Sequence, residues 1–244
     1  MPFTRWNNLS ARIIAEHLSW EDVRDDLLRV IQELDSLRKG GLVPEGKYRQ
    51  KGNAFKDTIA ALAESRCGVQ LTERRVSGRT DIHTVDITLT VDARAGRNVS
   101  ADAVVIAGEL KMIGSPEHRS GEELKPERTI SIDIDKRVKE VKYTPVDLKR
   151  YVNPETEGGW GEFVEETFPL FFSGWMMRLA SADRLEHIVA KLEGMTEYNN
   201  FVAAAIYKEK DDRYHWVDIT SENPKILGIG ELIDRICHLA ERIE

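Results

Sequence analysis

Apolar residues near the start of the chain recur at helical spacing. From Val23 to Leu37 they repeat every three or four positions, which predicts an amphipathic helix with Ser19 as its N-cap and the Gly40-Gly41 pair at its end. A shorter helix over residues 9–18 is expected to pack beside it. We interpret both helices as structural, or as a dimerisation or docking element.

The next segment changes from loop to helix. Residues 41–51 are rich in glycine, proline and cations, and we expect a loop there. Residues 52–66 carry apolar side chains on one helical face, which predicts a helix that stops at Gly68.

Alternating apolar and polar residues then predict strands. Residues 69–76 alternate, and after a turn at residues 77–79 the segment 80–92 (TDIHTVDITLTVD) alternates again, as is typical of a half-buried strand. Residues 93–100 turn the chain back into residues 101–113 (ADAVVIAGELKMI), which begin with the small apolar residues of a buried strand. We therefore expect residues 80–92 and 101–113 to form a β-hairpin.

The second half of the chain is predicted to be rich in helices. The expected elements are a polar loop over 114–128, a short strand over 129–134, cationic helical turns over 136–142 and 144–152, helices over 162–178 (interrupted near Pro169), 182–192 and 229–243, and a hairpin of strands 201–207 and 214–220. Thr144 is a candidate cap, with Pro145 at the first helical position. The FVAAAIY strand is apolar enough to be central in a sheet.

Composition is that of a globular protein. The chain has 244 residues, 41% hydrophobic and 32% charged. Its apolar runs are shorter than the roughly 18 residues that span a membrane. The N-terminus lacks a signal-peptide pattern, so we expect a cytoplasmic protein without a membrane partner. Cys67 and Cys237 are far apart and have no neighbouring Cys or His, so neither a disulfide nor a zinc site is expected.

Two charged residues stand near the end of the strand over residues 101–113. Glu109 and Lys111 occupy alternate positions, so their side chains share one face, about 6 to 7 Å apart along the strand. Buried charges need a partner or a bound ion. One interpretation is a structural salt bridge. The other is a hydrolytic site, in which Glu109 holds a divalent metal while Lys111 orients water and counters charge on a phosphate.

Three motifs share a resemblance to one family. The helix GNAFKDTIAALAESRCG, the GRTDI turn and the strand VVIAGELK together resemble the core of the PD-(D/E)XK nuclease superfamily, which includes most type II restriction endonucleases. The resemblance covers residues 52–113. Two departures are that no proline precedes the candidate aspartate, and that the helix carries Lys56 and Asp57 where relatives often have a glutamate.

The resemblance implies both a fold and a chemistry. The fold is α/β (α+β), with a restriction-endonuclease-like αβββαβ core in which a central mixed β-sheet is flanked by helices. The chain would be one nuclease domain over residues 1–244: a helical N-terminal extension over 1–46, a catalytic core over 47–152, and helical and hairpin completion of the sheet over 153–244, which is also a candidate dimer region. The implied chemistry is hydrolysis of DNA phosphodiester bonds by an activated water with one or two Mg²⁺ ions.

Two aspartates can face Glu109 in the hairpin. A turn centred near Ala95 sets Asp81 opposite Glu109, whereas a loop centred near residues 97–98 selects Asp86. Asp86 lies on the polar face of a regular strand and is slightly favoured, although Asp81 follows the GRT turn that resembles the family's usual entry. The resemblance implies Asp86 or Asp81, together with Glu109, as Mg²⁺ ligands, and Lys111 near the attacking water.

Two other polar residues near the hairpin are interpreted as non-catalytic. Asp102 would lie about 23 Å from Glu109 along the strand and on its opposite face. His83 is interpreted as a surface or hydrogen-bonded residue rather than as a catalytic base.

Charge is unevenly distributed along the chain. The formal net charge of −7 argues against a protein that coats nucleic acid non-specifically. Residues 47–79 nevertheless contain eight Lys or Arg against three acids, whereas residues 155–244 contain nine against eighteen. The candidates for contact with DNA phosphates are Lys51, Arg79, Lys136, Arg137, Lys139, Lys149 and Arg150. Solvated helix charges explain them equally well.

The sequence therefore predicts a Mg²⁺-dependent endonuclease. The most specific form of this prediction is a type II restriction endonuclease that cuts double-stranded DNA as a homodimer, since one site per chain must be used twice to cut two strands. The alternatives are a DNA repair or mobile-element nuclease of the same superfamily, and a catalytically silent nucleic-acid-binding or oligomeric scaffold with the same fold.

Overall fold

The computed structural model of the protein describes residues 2–92, 94–149 and 169–241. The helices within these ranges are α1 (Pro2–Glu16), α2 (Trp20–Lys39), α3 (Glu45–Tyr48), α4 (Lys51–Cys67), α5 (Ile130–Lys149), α6 (Leu185–Met195) and α7 (Ile229–Glu241). The strands are β1 (Thr72–Ser77), β2 (Ile82–Thr90), β3 (Asn98–Ser100), β4 (Val104–Ile113), β5 (His118–Ser120), β6 (Glu123–Lys125), β7 (Leu170–Leu179), β8 (Phe201–Lys210), β9 (Arg213–Val217) and β10 (Ile226–Leu227).

Eight strands form one mixed sheet. Their order is β10–β8–β7–β4–β2–β1–β3, and β9 also pairs with β8. β4, β7 and β8 are parallel, β2 runs antiparallel to both β4 and β1, and β3 runs parallel to β1. β5 and β6 form a separate hairpin. The predicted class, a mixed α/β fold with a central mixed sheet flanked by helices, is confirmed.

Helices cover both faces of the sheet. On one face α1, α2, α4 and α7 pack around residues such as Leu110 of β4 and Met176 of β7. On the other face α5 and α6 pack against Trp175 and Met177 of β7. β7 and β8 are buried on both faces, which explains their nearly continuous apolar sequences.

The predicted start of α2 is confirmed. The Ser19 side chain accepts a hydrogen bond from the backbone N–H of Asp22, and the Asp22 carboxylate accepts one from the backbone N–H of Ser19 at 2.8 Å. This reciprocal capping box satisfies two N–H groups at the helix start.

Several predicted elements are wrong. Residues 170–178, predicted as helix, belong to β7, because a short apolar run fits a buried strand as well as a helix. Residues 130–134, predicted as a strand, begin α5, whose first N–H groups donate to the Asp183 carboxylate. Pro145 lies inside α5 rather than at a helix start. The loop expected before residue 52 contains α3, and the predictions for residues 150–168 lie outside the described ranges.

A disulfide joins α4 to α7. Cys67 and Cys237 are bonded, with their Cα atoms 5.6 Å apart, although they are separated by 170 positions. Their distance along the sequence led to the opposite expectation, which is wrong because the packing of α7 beside α4 brings the two residues together. None of the helices in the described residues is long and apolar enough to cross a membrane.

Candidate active site

The pairing of β2 with β4 brings the candidate carboxylates together. Ile87 lies opposite Gly108, so the next position places Asp86 opposite Glu109. The connection between the two strands is longer than a tight turn because it contains β3 and a 3₁₀ turn over residues 101–103. The structure thus has the register of the longer loop, with Asp86 rather than Asp81 facing Glu109.

A β-bulge in β2 lies at the candidate aspartate. Residues 85 to 88 of β2 span the same length as residues 72 to 74 of β1, so three steps on one strand match two on the other. Such bulges re-aim side chains. Here the Asp86 carboxylate accepts a hydrogen bond from the backbone N–H of Leu110 at 2.9 Å, which holds it beside β4.

Three carboxylates surround one ammonium group. The Nζ atom of Lys111 lies 2.5 Å from Glu109 Oε2, 3.2 Å from Asp86 Oδ2 and 3.9 Å from Glu140 Oε2. Glu140 comes from α5 and also binds Arg137 at 2.8 Å. Sequence reasoning missed Glu140, because only the packing of α5 on the sheet brings it near Lys111.

Burial sets the protonation of this group. The Glu109 side chain is only 7% exposed, against 25% for Asp86, so the cluster opens to solvent on the Asp86 side. Burial raises the pKa of Glu109 to about 7, and the Asp86 charge adds to this rise while Lys111 opposes it. Burial alone would lower the pKa of Lys111, but the Glu109 and Asp86 carboxylates outweigh it and raise that pKa. Lys111 therefore keeps its positive charge, and this charge offsets only part of the rise in the Glu109 pKa.

The donor set suits a hard divalent cation. Asp86 and Glu109 offer carboxylate oxygens, and Mg²⁺ is commonly bound through one or two carboxylates, with waters and substrate phosphates as its other ligands. In the described part of the chain, no group of three or more His, Cys, Asp or Glu side chains is arranged to hold a metal. A Mg²⁺ ion held by Asp86 and Glu109 would therefore rely on water and phosphate oxygens to complete its coordination.

Asp81 lies apart from this cluster, at the turn before β2. Its side chain is exposed, and Oδ1 accepts a hydrogen bond from the backbone N–H of Ile82 at 2.7 Å. Its role is local, at the start of the strand.

His83 belongs to a second polar cluster. Its Nε2 atom lies 2.8 Å from Oδ2 of Asp147 on α5, and the other Asp147 oxygen accepts hydrogen bonds from the Thr80 hydroxyl at 2.7 Å and the Thr80 backbone N–H at 3.0 Å. Burial alone would raise the pKa of Asp147, but the hydrogen bonds from His83 and Thr80 lower it. A Cβ on Gly78 would lie 2.1 Å from Asp147 Oδ2, so a larger residue there would displace this carboxylate. The prediction that His83 is a hydrogen-bonded residue fits this arrangement.

Lys51 is a wrong candidate for DNA contact. Its ammonium is buried, where Nζ donates to the carbonyl oxygen of Gly114 at 2.7 Å and to the Tyr48 hydroxyl at 3.0 Å. Burial lowers the pKa of Lys51 to about 8. The side chain joins the start of α4 to the end of β4 and has no access to a phosphate.

The other cationic candidates differ in exposure. Arg79, Lys136 and Arg137 are exposed, and Arg137 is engaged with Glu140. The side chains of Lys139 and Lys149, and the whole of Arg150, lie outside the described parts of the structure.

Comparison of the chain with protein-family models, with curated proteins and with solved structures found no match.

Proposed function

We propose that the protein is a Mg²⁺-dependent endonuclease that hydrolyses DNA phosphodiester bonds. The observation that carries the proposal is the convergence of Asp86 and Glu109 on the ammonium of Lys111. A structural salt bridge needs only one carboxylate for one ammonium. The surplus carboxylate and the raised pKa of Glu109 favour a site that takes up a further cation.

The order of the surrounding elements also supports the proposal. Among the described residues, α4, β1, β2, β4, α5 and β7 follow one another in the αβββαβ order of the resembled nucleases, with the short β3, a 3₁₀ turn and the β5–β6 hairpin between them. β7 lies parallel to β4, so the carboxylate-bearing strand is central in the sheet.

Three residues of the cluster would take part in hydrolysis. Asp86 and Glu109 would hold the Mg²⁺ ion, which when bound lowers the pKa of water and polarises the phosphate. Lys111 would donate a hydrogen bond to the attacking water and counter the charge that builds up on the phosphate. Burial of Glu109 and Lys111 keeps bulk water from screening these charges.

The specific form we propose is a type II restriction endonuclease. One cluster per chain cuts one strand, so cleavage of both strands of a duplex calls for a homodimer. A DNA repair or mobile-element nuclease would use the same residues on another substrate.

Plasmid cleavage tests the proposal directly. Supercoiled DNA incubated with the protein should be nicked and linearised with Mg²⁺ and left intact with EDTA. Lys111→Ala and Glu109→Ala should each abolish cleavage, whereas Lys210→Ala, which removes an exposed cation on β8, serves as the control and should cut normally. Binding of DNA without cleavage by the wild type would instead favour the catalytically silent scaffold.

A further inference from the structure

One edge of the sheet carries arginines that have no acidic partner in the part of the chain that the structure describes. We name Arg75, Arg79, Arg94 and Arg97 the arginine edge. All four side chains are exposed, and among the described residues none of them forms an ion pair. The backbone N–H of Arg75 on β1 donates to the carbonyl oxygen of Arg97 at 2.8 Å, so these two residues are direct neighbours.

Exposed arginines elsewhere in the protein are mostly compensated. Arg12, Arg29 and Arg66 each pair with an acid, although their side chains are at least half exposed. Glu73, the acid on β1, forms an ion pair with Lys56 of α4 at 2.6 Å. Within the described ranges the arginine edge is therefore a positive surface without paired acids, on a chain whose net charge is −7.

A side-chain contact of Arg74 holds part of the arginine edge in place. The guanidinium of Arg74 donates through Nη1 to the carbonyl oxygens of Ala95 and Gly96, the latter at 2.6 Å. This contact fastens the segment that carries Arg94 and Arg97 to β1. Like charges on neighbouring strands destabilise a sheet, and a bound polyanion would relieve that repulsion. Charge on an edge strand also prevents pairing with other sheets, but one or two cations suffice for that.

The arginine edge flanks the candidate active site. Along the sheet the order is β4, β2, β1 and β3, and Arg74 pairs with Val85, which precedes Asp86. Neighbouring strands lie about 4.8 Å apart, so β1 and β3 are about 5 and 10 Å from the strand that carries Asp86. Arg79 precedes β2 and Arg94 and Arg97 follow it, so these three residues flank the two ends of the strand that carries Asp86. Arg75 stands on the face of β1 opposite to Arg74 and the buried Val76.

We infer that the arginine edge binds the phosphate backbone of duplex DNA beside the scissile bond. The position of the DNA in this inference rests on the proposed function. The binding of DNA by the arginine edge does not depend on it. The guanidinium group is planar and donates in a fork that matches phosphate oxygens. The positive surface thus lies on β1, β3 and their flanking turns rather than on α4, where Lys51 is buried and both Lys56 and Arg66 are paired.

The dependence of DNA binding on salt concentration reports the number of phosphate contacts. Fluorescence anisotropy of a labelled duplex of about 30 base pairs, titrated in EDTA at several salt concentrations, gives the slope of log K against log salt. Each lost phosphate contact should lower that slope by about one. The double variant Arg75→Gln/Arg97→Gln should therefore lower it by about two and weaken binding at least about tenfold near 0.1 M salt.

A matched control lies on the opposite side of the sheet. Lys210 and Arg213 are also exposed cations that face each other on neighbouring strands, β8 and β9. Lys210→Gln/Arg213→Gln removes the same charge and should leave the slope unchanged. A second pair, Arg79→Gln/Arg94→Gln, should repeat the effect of the first, and circular dichroism checks that all variants fold.

The outcomes separate this inference from the proposed function. Equal slopes for the arginine-edge and control variants would overturn the inference even if the wild type cuts plasmid DNA. A reduced slope for the arginine-edge variants alone would support it, even if the wild type binds without cutting. Absence of any duplex binding by the wild type would overturn both.

Discussion

Asp86 and Glu109 face each other on neighbouring antiparallel strands and depend on the same cation. Nζ of Lys111 lies 3.2 Å from Asp86 Oδ2 and 2.5 Å from Glu109 Oε2. Burial raises the pKa of Glu109 to about 7, since the Lys111 charge opposes this rise only in part and the Asp86 charge adds to it. The cluster is therefore expected to respond to pH and to divalent cations near neutrality.

Mg²⁺ affinity should depend on pH through Glu109. Below pH 7 the Glu109 carboxyl is mostly protonated and must lose its proton to bind a metal, so affinity should fall about tenfold per pH unit below 7 and level off above it. Isothermal titration calorimetry of the protein with MgCl₂ between pH 5.5 and 8.5 measures this. Glu109→Gln should lose most of the affinity and its pH dependence together. Equal affinity of the wild type across the range would contradict the assignment.

Stability should change in the same pH window with a definite sign. Because the folded-state pKa of Glu109 is above its unfolded value, the contribution of this group is fully present below about pH 4.5 and is lost as pH rises through 7. Glu109→Gln stays neutral and should exceed the wild type in free energy of unfolding by roughly 1 to 3 kcal/mol at pH 8. The difference should vanish near pH 4.5. Urea denaturation at both pH values measures it, and a variant that is less stable at pH 8 would show that the ion pair with Lys111 dominates.

The hairpin that carries the site was predictable, but its register was not. The alternation in residues 82–90 and the apolar run from residue 104 identify both strands. The register depends on β3, three residues long, which is held by parallel pairing with β1 rather than by any local pattern. Glu140 escaped prediction for a similar reason, since it meets Lys111 only through the packing of α5.

The burial of individual residues and strands was also not predictable from the sequence. Lys51 stands in a cationic segment that resembles a solvated surface, yet its ammonium lies under α3 and the end of β4. Most of the ten residues of β7 are apolar, so their periodicity did not separate a helix from a strand buried on both faces.

Asp147 is expected to be structural rather than catalytic. Its carboxylate is buried and accepts hydrogen bonds from Thr80 and His83 and from the backbone N–H of Asp81. Asp147→Ala would leave these donors unsatisfied and should lower the free energy of unfolding by about 2 to 4 kcal/mol in urea denaturation. Asp218→Ala, which removes an exposed carboxylate, is the control and should change it by less than about 0.5 kcal/mol. Equal effects would mean that the cluster does not hold the turn.

The disulfide should make stability sensitive to reductant. Its link between Cys67 and Cys237 closes a loop of 170 residues and restricts the unfolded chain. Dithiothreitol should lower the free energy of unfolding by about 2 to 5 kcal/mol. The double variant Cys67→Ser/Cys237→Ser should be less stable from the outset and should not respond to the reductant. A response of that variant equal to the wild type's would rule out the disulfide as the cause.

Three aspartates lie near the hairpin, and substituting each one should lower cleavage according to how close it lies to the candidate site. Asp86→Asn removes a carboxylate charge that faces Glu109 but keeps an oxygen for the Leu110 N–H, so the fold should persist while Mg²⁺-dependent cleavage falls by more than about a hundredfold. Asp81→Asn should only weaken cleavage, because its side chain bonds to Ile82 outside the cluster. Asp102→Asn should be near neutral, since that residue is exposed in the 3₁₀ turn before β4.

Initial rates of plasmid nicking at saturating Mg²⁺ give the ranking, and metal titration of each variant separates lost binding from lost chemistry. If Asp81→Asn were the inactive variant and Asp86→Asn cut normally, the metal would be held at the GRTDI turn. The register between β2 and β4 would then have to shift by five residues to bring Asp81 opposite Glu109. A shift by an odd number of positions would also carry the apolar residues of β2 to the other face of the sheet, so the same experiment tests the pairing of Ile87 with Gly108.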